Sequence, residues 1–240
     1  MRQSEFRGIR ALLFDKDGTV IDYRKTWVPI NRRIASVLSG GDARMAAQLL
    51  RLGGHDPDTD TVAAGSAFAA GTAAELANLF HPYIRGMTLA GLEQIIDRFF
   101  REGGTKGAVA EQGAAEAISA LGALGYRCGL ATNDSTGGMF ASLRSAGLAG
   151  LFAFEVAADS GHGVKPDPGM ALAFAEHLGI PARAIAVIGD SWHDLEMARR
   201  AGCGIAIGVL SGPARRSDLG PFADLVIDNV RELPALFSGG

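Results

Sequence analysis

The chain has 240 residues, enough for one large domain or for a core domain that carries a smaller insert. Hydrophobic residues make up 48% of it and charged residues 20%, values that are typical of globular proteins and exclude a disordered chain. The formal net charge of −3 gives no broad positive surface for nucleic acid or an anionic membrane. We therefore expect a small-molecule partner, no nucleic acid and no membrane.

The first ten residues contain charges throughout and lack the apolar stretch of a signal peptide. No later segment approaches the ~18 uncharged apolar residues that a membrane span requires. The two cysteines, Cys128 and Cys203, lie far apart in or beside apolar runs, which does not indicate a disulfide framework. These features predict a cytoplasmic protein.

Six short apolar runs have the length of buried strands. They lie at Ala11–Phe14, Tyr126–Ala131, Phe152–Ala157, Ala184–Ile188, Cys203–Val209 and Leu225–Ile227. Segments of helical composition lie between them, at Val109–Leu124, Met139–Ala146, Pro168–Leu178 and Asp194–Arg200. This alternation predicts an α/β fold with a doubly wound, Rossmann-like parallel sheet that helices cover on both faces.

The stretch from about Tyr23 to Thr105 interrupts this alternation, because it has helical spacing and no clear strand run. Helical spacing occurs in Ile34–Leu38, Met45–Leu52, Ala73–Phe80 and Leu89–Phe100, and Gly/Asp-rich breaks at Gly53–Asp60 and Gly103–Gly107 predict loops and a return linker. We expect residues 1–22 and 106–240 to form the core, and residues 23–105 to form an inserted helical domain.

The first polar cluster, at residues 15–19, has the sequence DKDGT and directly follows an apolar run. Asp15 and Asp17 are thereby placed at the carboxyl end of a strand, where ligands bind in open parallel sheets. Gly18 would let the backbone turn tightly beside a bound group. Taken alone, the pair of aspartates is equally well explained as a solvated turn or a helix cap.

Three further polar clusters lie on or just beyond later strands: Thr132-Asn133-Asp134, the loop Gly163–Pro168 with Lys165, and Gly189–Asp194. A hydroxyl and an amide in the first can hold phosphate oxygens, and a lysine between Gly and Pro can neutralise them. The carboxylates in the last suit a hard cation such as Mg²⁺. Each cluster alone could be a helix cap or an exposed loop, but a parallel sheet would bring all four to one pocket.

These four clusters, in this order, resemble the motifs of the haloacid dehalogenase superfamily. The helical insert is similar to the α-helical cap of its phosphoglycolate phosphatase-like branch, a cap that usually chooses the substrate. The resemblance implies a phosphatase in which Asp15 is the nucleophile and Asp17 the general acid/base. It also implies that Thr132 and the catalytic Lys165 hold the transferring phosphoryl group, with Asn133 as a further candidate from its residue type.

The resemblance further implies a Mg²⁺ cofactor. Its ligands would be Asp15, the backbone carbonyl of Asp17 and Asp190, with Asp194 acting directly or through water. The expected partner is a small phosphorylated metabolite, either phosphoglycolate-like or a sugar phosphate, and the oligomeric state stays open.

Two other functions remain possible at this stage. A phosphomutase similar to β-phosphoglucomutase would use the same nucleophile, and a non-catalytic phosphoacceptor or binding module would stop at the aspartyl phosphate. Asp17 argues against dehalogenases and phosphonate-cleaving relatives, which generally lack a carboxylate there. The sequence leaves open whether Arg24 and Lys25 contact an anionic substrate, and what His193 does.

Overall fold

The computed structural model describes residues 6–238, apart from the side chains of residues 104–106. Its strands are β1 (Ala11–Asp15), β2 (His55–Asp56), β3 (Thr61–Val62), β4 (Arg127–Ala131), β5 (Phe154–Val156), β6 (Ile185–Gly189), β7 (Ile205–Val209) and β8 (Leu225–Ile227). Its helices are α1 (Tyr23–Leu38), α2 (Ala43–Leu52), α3 (Ala67–Ala70), α4 (Ala73–Phe80), α5 (Leu89–Gly107), α6 (Ala114–Ala123), α7 (Thr136–Ser145), α8 (Gly169–Leu178), α9 (Trp192–Ala201), α10 (Arg216–Leu219) and α11 (Leu233–Phe237).

Six strands form one parallel sheet in the order β5-β4-β1-β6-β7-β8. All six coincide with the apolar runs that predicted them, which confirms the α/β class and the parallel sheet. The first strand lies in the middle, between β4 and β6, so the strand order reverses beside it. A ligand crevice is expected at the carboxyl end of the sheet at such a reversal.

The sheet is buried on both faces because neighbouring side chains of a strand point in opposite directions. In β1, Leu12 and Phe14 join the hydrophobic cluster that includes residues of α6, α7 and α11. Ala11 and Leu13 join the cluster on the opposite face, with residues of α8 and α9. All five residues of β1 are buried, which makes this strand a fixed support for the groups at its end.

The segment between β1 and α6 forms five helices and the two-stranded β2–β3 hairpin. Four of its five helices, α1, α2, α4 and α5, start at side-chain caps, since Asp22, Asp42, Thr72 and Thr88 each accept a hydrogen bond from a backbone N–H in the first turn. A separate hydrophobic cluster lies inside it, built from residues such as Trp27, Ile34, Leu49, Phe80 and Ile96. This packing supports an inserted helical unit, while its division from the core at residues 22/23 and 105/106 stays a proposal.

The structure corrects three details of the sequence prediction. The predicted linker Gly103–Gly107 is wrong, because α5 continues to Gly107. A side chain at Gly103 would collide with Ile30 of α1, so this glycine permits close helix packing and does not end the helix. The predicted loop Gly53–Asp60 contains strand β2, which was not expected.

The helix predicted from Val109 begins only at Ala114. The residues before it are extended because their backbone is used elsewhere: the Val109 carbonyl accepts from Asp22 N–H, and the Glu111 N–H donates to the Val20 carbonyl. These bonds fasten the return of the chain from α5 beside the start of α1. None of the helices within residues 6–238 is long and apolar enough to cross a membrane.

We predict that Phe174→Ala destabilises the protein by about 3–5 kcal/mol, the usual cost of emptying a buried phenylalanine site. Phe174 of α8 is fully buried, its ring lies 5.4 Å from that of Phe154, and it packs on the backbone of Gly129. Urea unfolding followed by circular dichroism measures the change. The matched control Phe140→Ala, at a side chain that is 46% exposed, should cost less than about 1 kcal/mol. Equal losses would contradict this account of the core.

Candidate active site

The register of the sheet brings the polar clusters to one edge. Asp15 pairs with Ala131 of β4, and Phe14 pairs with Ile188 of β6, so the residues that follow each strand lie beside one another. The loop before α8 and the first turn of α9 add their side chains at the same edge. Seven residues proposed for the site line one cavity: Asp15, Asp17, Thr132, Asn133, Lys165, Asp190 and Asp194.

A buried ammonium group links two of these carboxylates. The Lys165 Nζ donates to Asp15 Oδ1 at 2.5 Å and to Asp194 Oδ1 at 2.6 Å, and all three residues are less than a tenth exposed. Burial opposes the charge on this lysine, but the carboxylates of Asp15 and Asp194 outweigh it and raise the pKa of Lys165. These contacts favour the charged form of Lys165 and leave one of its three N–H donors for a ligand.

Three carboxylates converge beyond this contact. One oxygen each from Asp15, Asp190 and Asp194 lie within 4.8 Å of one another, an arrangement that can hold a metal ion. The Asp15 Oδ2 is buried and has no hydrogen-bond partner among the described residues. Burial, reinforced by the neighbouring carboxylates, raises the pKa of both Asp15 and Asp190. The donor set thus fits a cation that binds oxygen ligands and offsets their repulsion.

Glycines make room for the Asp190 carboxylate. A Cβ atom at Gly18 would lie 2.3 Å from Asp190 Oδ2, and one at Gly212 would lie 1.7 Å from the same oxygen. Both distances are far inside van der Waals contact, so no side chain fits at either position without moving Asp190. Gly18 also has φ +85°, a conformation that glycine adopts readily, which explains its place directly after the two aspartates.

Asp194 both caps helix α9 and belongs to the group of three converging carboxylates. It occupies the first turn of α9, where its Oδ2 accepts from the backbone N–H of Ser191 at 3.1 Å and from the Ser191 hydroxyl at 2.6 Å. The bond from the Ser191 N–H is one half of a capping box at the start of the helix, in which the Asp194 carboxylate accepts from the backbone of the capping residue. Because the cap uses Oδ2, the other oxygen remains to accept from Lys165.

Thr132 and Asn133 differ in how they can meet a phosphate. Thr132 is buried, and its hydroxyl oxygen accepts from the Asp134 N–H at 3.1 Å, which leaves the hydroxyl hydrogen to donate. The Asn133 amide is already bonded: it accepts from the Lys165 N–H and donates to the carbonyls of Lys165 and Ala70. In this arrangement Asn133 fixes the Lys165 loop, and its contact with phosphate stays a prediction.

The Asp17 side chain is held by partners other than the three converging carboxylates. Its Oδ1 accepts from the Trp27 indole N–H at 2.5 Å, and its Oδ2 lies 3.0 Å from the Lys16 ammonium. The side chain is therefore separate from the possible metal ligands, and the role of its backbone carbonyl stays a prediction.

The sequence reasoning missed Lys16, which is fully buried between the two aspartates. No role was predicted for Asp134, the partner of Lys16 at 2.8 Å. The available signal was the lysine itself, since a charged residue directly after a buried strand needs a partner. Although burial opposes it, the carboxylates of Asp134 and Asp17 raise the pKa of Lys16.

The residues whose roles were left open lie in different surroundings. Arg24 is exposed, and Lys25 is 68% exposed and paired with Asp22 at 2.7 Å, so neither lines the cavity. His193 does line it, with its ring 3.9 Å from that of Trp192, and burial lowers its pKa.

The rest of the cavity wall comes largely from the helical insert. Tyr23, Trp27, Phe68 and Phe100 contribute four aromatic side chains to the lining. The cavity holds about 50 Å³, room for a few water molecules. Carboxylates and aromatic side chains thus line one small cavity.

Comparison with characterised sequences identifies relatives over much of the chain. The family model described as haloacid dehalogenase-like hydrolase matches residues 9–202. The phosphoglycolate phosphatase of Escherichia coli (strain K12) is 31% identical over 149 residues, which cover 60% of this chain and 58% of that protein. The phosphoglycolate phosphatase of Salmonella typhimurium is 32% identical over 112 residues, 47% of this chain and 44% of that protein. The matches thus span about half the length of these relatives.

Solved structures share the fold over nearly the whole chain. A predicted phosphoglycolate phosphatase from Haemophilus somnus has a TM-score of 0.74 at 19% identity, covering 95% of this chain and 98% of that one. CbbY from Rhodobacter sphaeroides, solved with phosphate, has a TM-score of 0.68 at 20% identity, covering 94% and 96%. These identities establish the fold, and the family match extends over more than half of the sequence. The chain therefore belongs to the haloacid dehalogenase-like hydrolase family.

Proposed function

We propose that this hydrolase is a Mg²⁺-dependent phosphatase that cleaves a small phosphomonoester through an aspartyl phosphate on Asp15. The observation that carries the proposal is the state of the Asp15 carboxylate. One of its oxygens is held by Lys165, while the other is buried, has no described partner and lies at a group of carboxylates. The phosphatases among its sequence relatives support the same reaction class.

The charge balance of the cavity supports a divalent cation. Five aspartates line it, at positions 15, 17, 134, 190 and 194, whereas Lys165 and the adjacent Lys16 are the ammonium groups in contact with them. Asp15, Asp190 and Asp194 would hold the ion through oxygen atoms, the ligands that Mg²⁺ prefers. When bound, Mg²⁺ neutralises phosphoryl oxygens and so lowers the barrier to attack by an anion.

The residues around Asp15 have complementary tasks in the proposed reaction. Asp15 attacks phosphorus as the bond to the leaving oxygen breaks, and Asp17 supplies the proton that this oxygen takes up. Lys165 and Thr132 bind the phosphoryl oxygens and balance their charge. Asp17 then takes a proton from the water that cleaves the aspartyl phosphate, which returns Asp15 to its first state.

The walls of the cavity favour a small organic group. Of the described residues that line it, Lys165 is the one cation, and its ammonium already faces two carboxylates. The helical insert adds four aromatic side chains to the lining. A compact sugar phosphate, or another phosphate ester whose alkyl group carries no charge, matches these walls better than phosphoglycolate. The carboxylate of phosphoglycolate would meet aromatic rings and further negative charge.

A panel assay of phosphate release with and without Mg²⁺ tests the proposal. The panel contains phosphoglycolate, sugar phosphates, glycerol phosphate, nucleotides and phosphoamino acids. Magnesium-dependent release from at least one alkyl phosphate is expected. Isomerised sugar phosphate without release would support the phosphomutase, and a long-lived aspartyl phosphate without turnover would support the binding module; either result would overturn the proposal.

We predict that Asp15→Asn lowers phosphate release at least about a thousandfold, because the amide cannot form the covalent intermediate. The fold should persist, since the substitution preserves the shape of the side chain. Steady-state kinetics and circular dichroism measure the two effects. The control Asp58→Asn changes an aspartate with a 76% exposed side chain and should retain parent activity. Full activity of Asp15→Asn would refute the assigned nucleophile.

We also predict that Asp190→Asn abolishes stabilisation by Mg²⁺ without lowering the stability of the metal-free protein. The change removes one of three buried carboxylates that repel one another, and with it an ion ligand. At a free Mg²⁺ concentration of 100 times Kd, the parent should gain about 2.7 kcal/mol.

Thermal unfolding with and without MgCl₂ measures this gain as a shift in Tm. Asp228→Asn, at an aspartate with a 76% exposed side chain, is the matched control and should keep the full shift. A full Mg²⁺ shift in Asp190→Asn would exclude Asp190 as a ligand.

A further inference from the structure

The Lys16 side chain occupies a position where a charge is costly. It follows β1, and strand alternation directs it to the face of Phe14 and α7, opposite to the face of Asp15. The residue is completely buried. Removing an ammonium from water costs several kcal/mol unless its donors and its charge are matched, so the surroundings of Lys16 need a specific explanation.

Its surroundings satisfy all three N–H donors of the ammonium group. The Lys16 Nζ lies 2.8 Å from Asp134 Oδ2, 3.0 Å from Asp17 Oδ2 and 3.4 Å from the Ser142 hydroxyl. The Ser142 hydroxyl donates its own hydrogen to the Gly138 carbonyl, which leaves its oxygen to accept from Lys16. The nitrogen also lies 4.8 Å from the centre of the Trp27 ring, within cation–π range.

One consequence concerns the orientation of Asp17. Its Oδ2 is held by Lys16 and its Oδ1 by the Trp27 indole, so neither oxygen can rotate without breaking a contact. Asp134 anchors the ammonium from the other side, and its carboxylate accepts from the Ser135 N–H at 2.7 Å. Lys16 is thus a fixed bridge from α7 and its preceding turn to Asp17.

We propose that Lys16 is a positioning residue that, together with Trp27, fixes the Asp17 carboxyl group for proton transfer to the leaving oxygen. This inference rests on the proposed phosphatase function. In the step concerned, the Asp15–phosphorus bond forms, the bond from phosphorus to the leaving oxygen breaks, and that oxygen takes the broken bond's electron pair and the Asp17 proton. Such a transfer requires a heavy-atom distance of about 2.6–3.2 Å, which an unrestrained carboxyl group holds only part of the time.

Two substrates distinguish a loss of Asp17 positioning from general damage to the active site. The alkoxide of glycerol phosphate leaves only with a proton, whereas p-nitrophenolate leaves p-nitrophenyl phosphate without one. The quantity to compare is kcat/KM, since it reports events up to the first phosphoryl transfer and excludes later hydrolysis of the aspartyl phosphate. A merely structural role for Lys16 would lower both values alike.

We predict that Lys16→Met lowers kcat/KM about 10–100-fold for glycerol phosphate and less than about threefold for p-nitrophenyl phosphate, in the range of a partial loss of general acid catalysis. Trp27→Phe keeps the ring near Lys16 but deletes the N–H, and should give the same selectivity with a smaller loss. Lys25→Met is the matched control at an exposed lysine and should change neither substrate.

A second variant controls for loss of stability, because Lys16→Met leaves the Asp134 carboxylate buried without its partner. The double variant Lys16→Met/Asp134→Asn removes both charges and should regain Tm while keeping the selective loss on glycerol phosphate. Equal losses on both substrates, or unchanged kinetics in Lys16→Met, would overturn the role of Lys16. A parent enzyme that is inactive on every phosphomonoester would instead refute the proposed phosphatase function.

Discussion

Lys165 donates to Asp15 and Asp194 at once, and this buried ammonium allows a carboxylate at the end of β1 and one in the first turn of α9 to lie close together. Its loss would leave two buried anions facing each other, a change that typically costs several kcal/mol. Lys16 does the same for Asp17 and Asp134. The site is therefore built from two bridges, each with one positive and two negative groups.

Asp190 lies outside both bridges. Within the part of the chain that the structure describes, no lysine or arginine forms an ion pair with it, yet it is 4% exposed and converges with Asp15 and Asp194. Burial and these neighbours raise its pKa, because both disfavour the charged carboxylate. The glycines that make room for it place this uncompensated charge beside the free oxygen of Asp15. In the proposed reaction, the position that most needs a cation is thus also the position where the phosphoryl group would be attacked.

Much of this arrangement could be predicted from the sequence because it depends on local pattern. Apolar runs located all six strands, and the rule that parallel strands share one carboxyl edge placed Asp15, Thr132 and Asp190 together. The bridge from Lys16 to Asp134 joins residues 118 positions apart and depends on how closely α7 packs under the sheet. The glycine at position 103 likewise predicted the end of a helix. Only the proximity of Ile30 explains why it lies inside α5. Periodicity carries no information about such distances.

The same distances connect the helical insert to the chemistry. Trp27 of α1 donates to Asp17, and the Ala70 carbonyl at the end of α3 accepts from Asn133, which in turn holds the Lys165 loop. Lys16 reaches Asp17 from the end of β1, which is fixed on both sides by parallel strands. A displacement of α1 would therefore remove one of the two groups that hold the Asp17 carboxylate and leave the other in place. On this geometry Lys16 supplies a constant restraint, and Trp27 supplies one that depends on where the insert lies over the cavity.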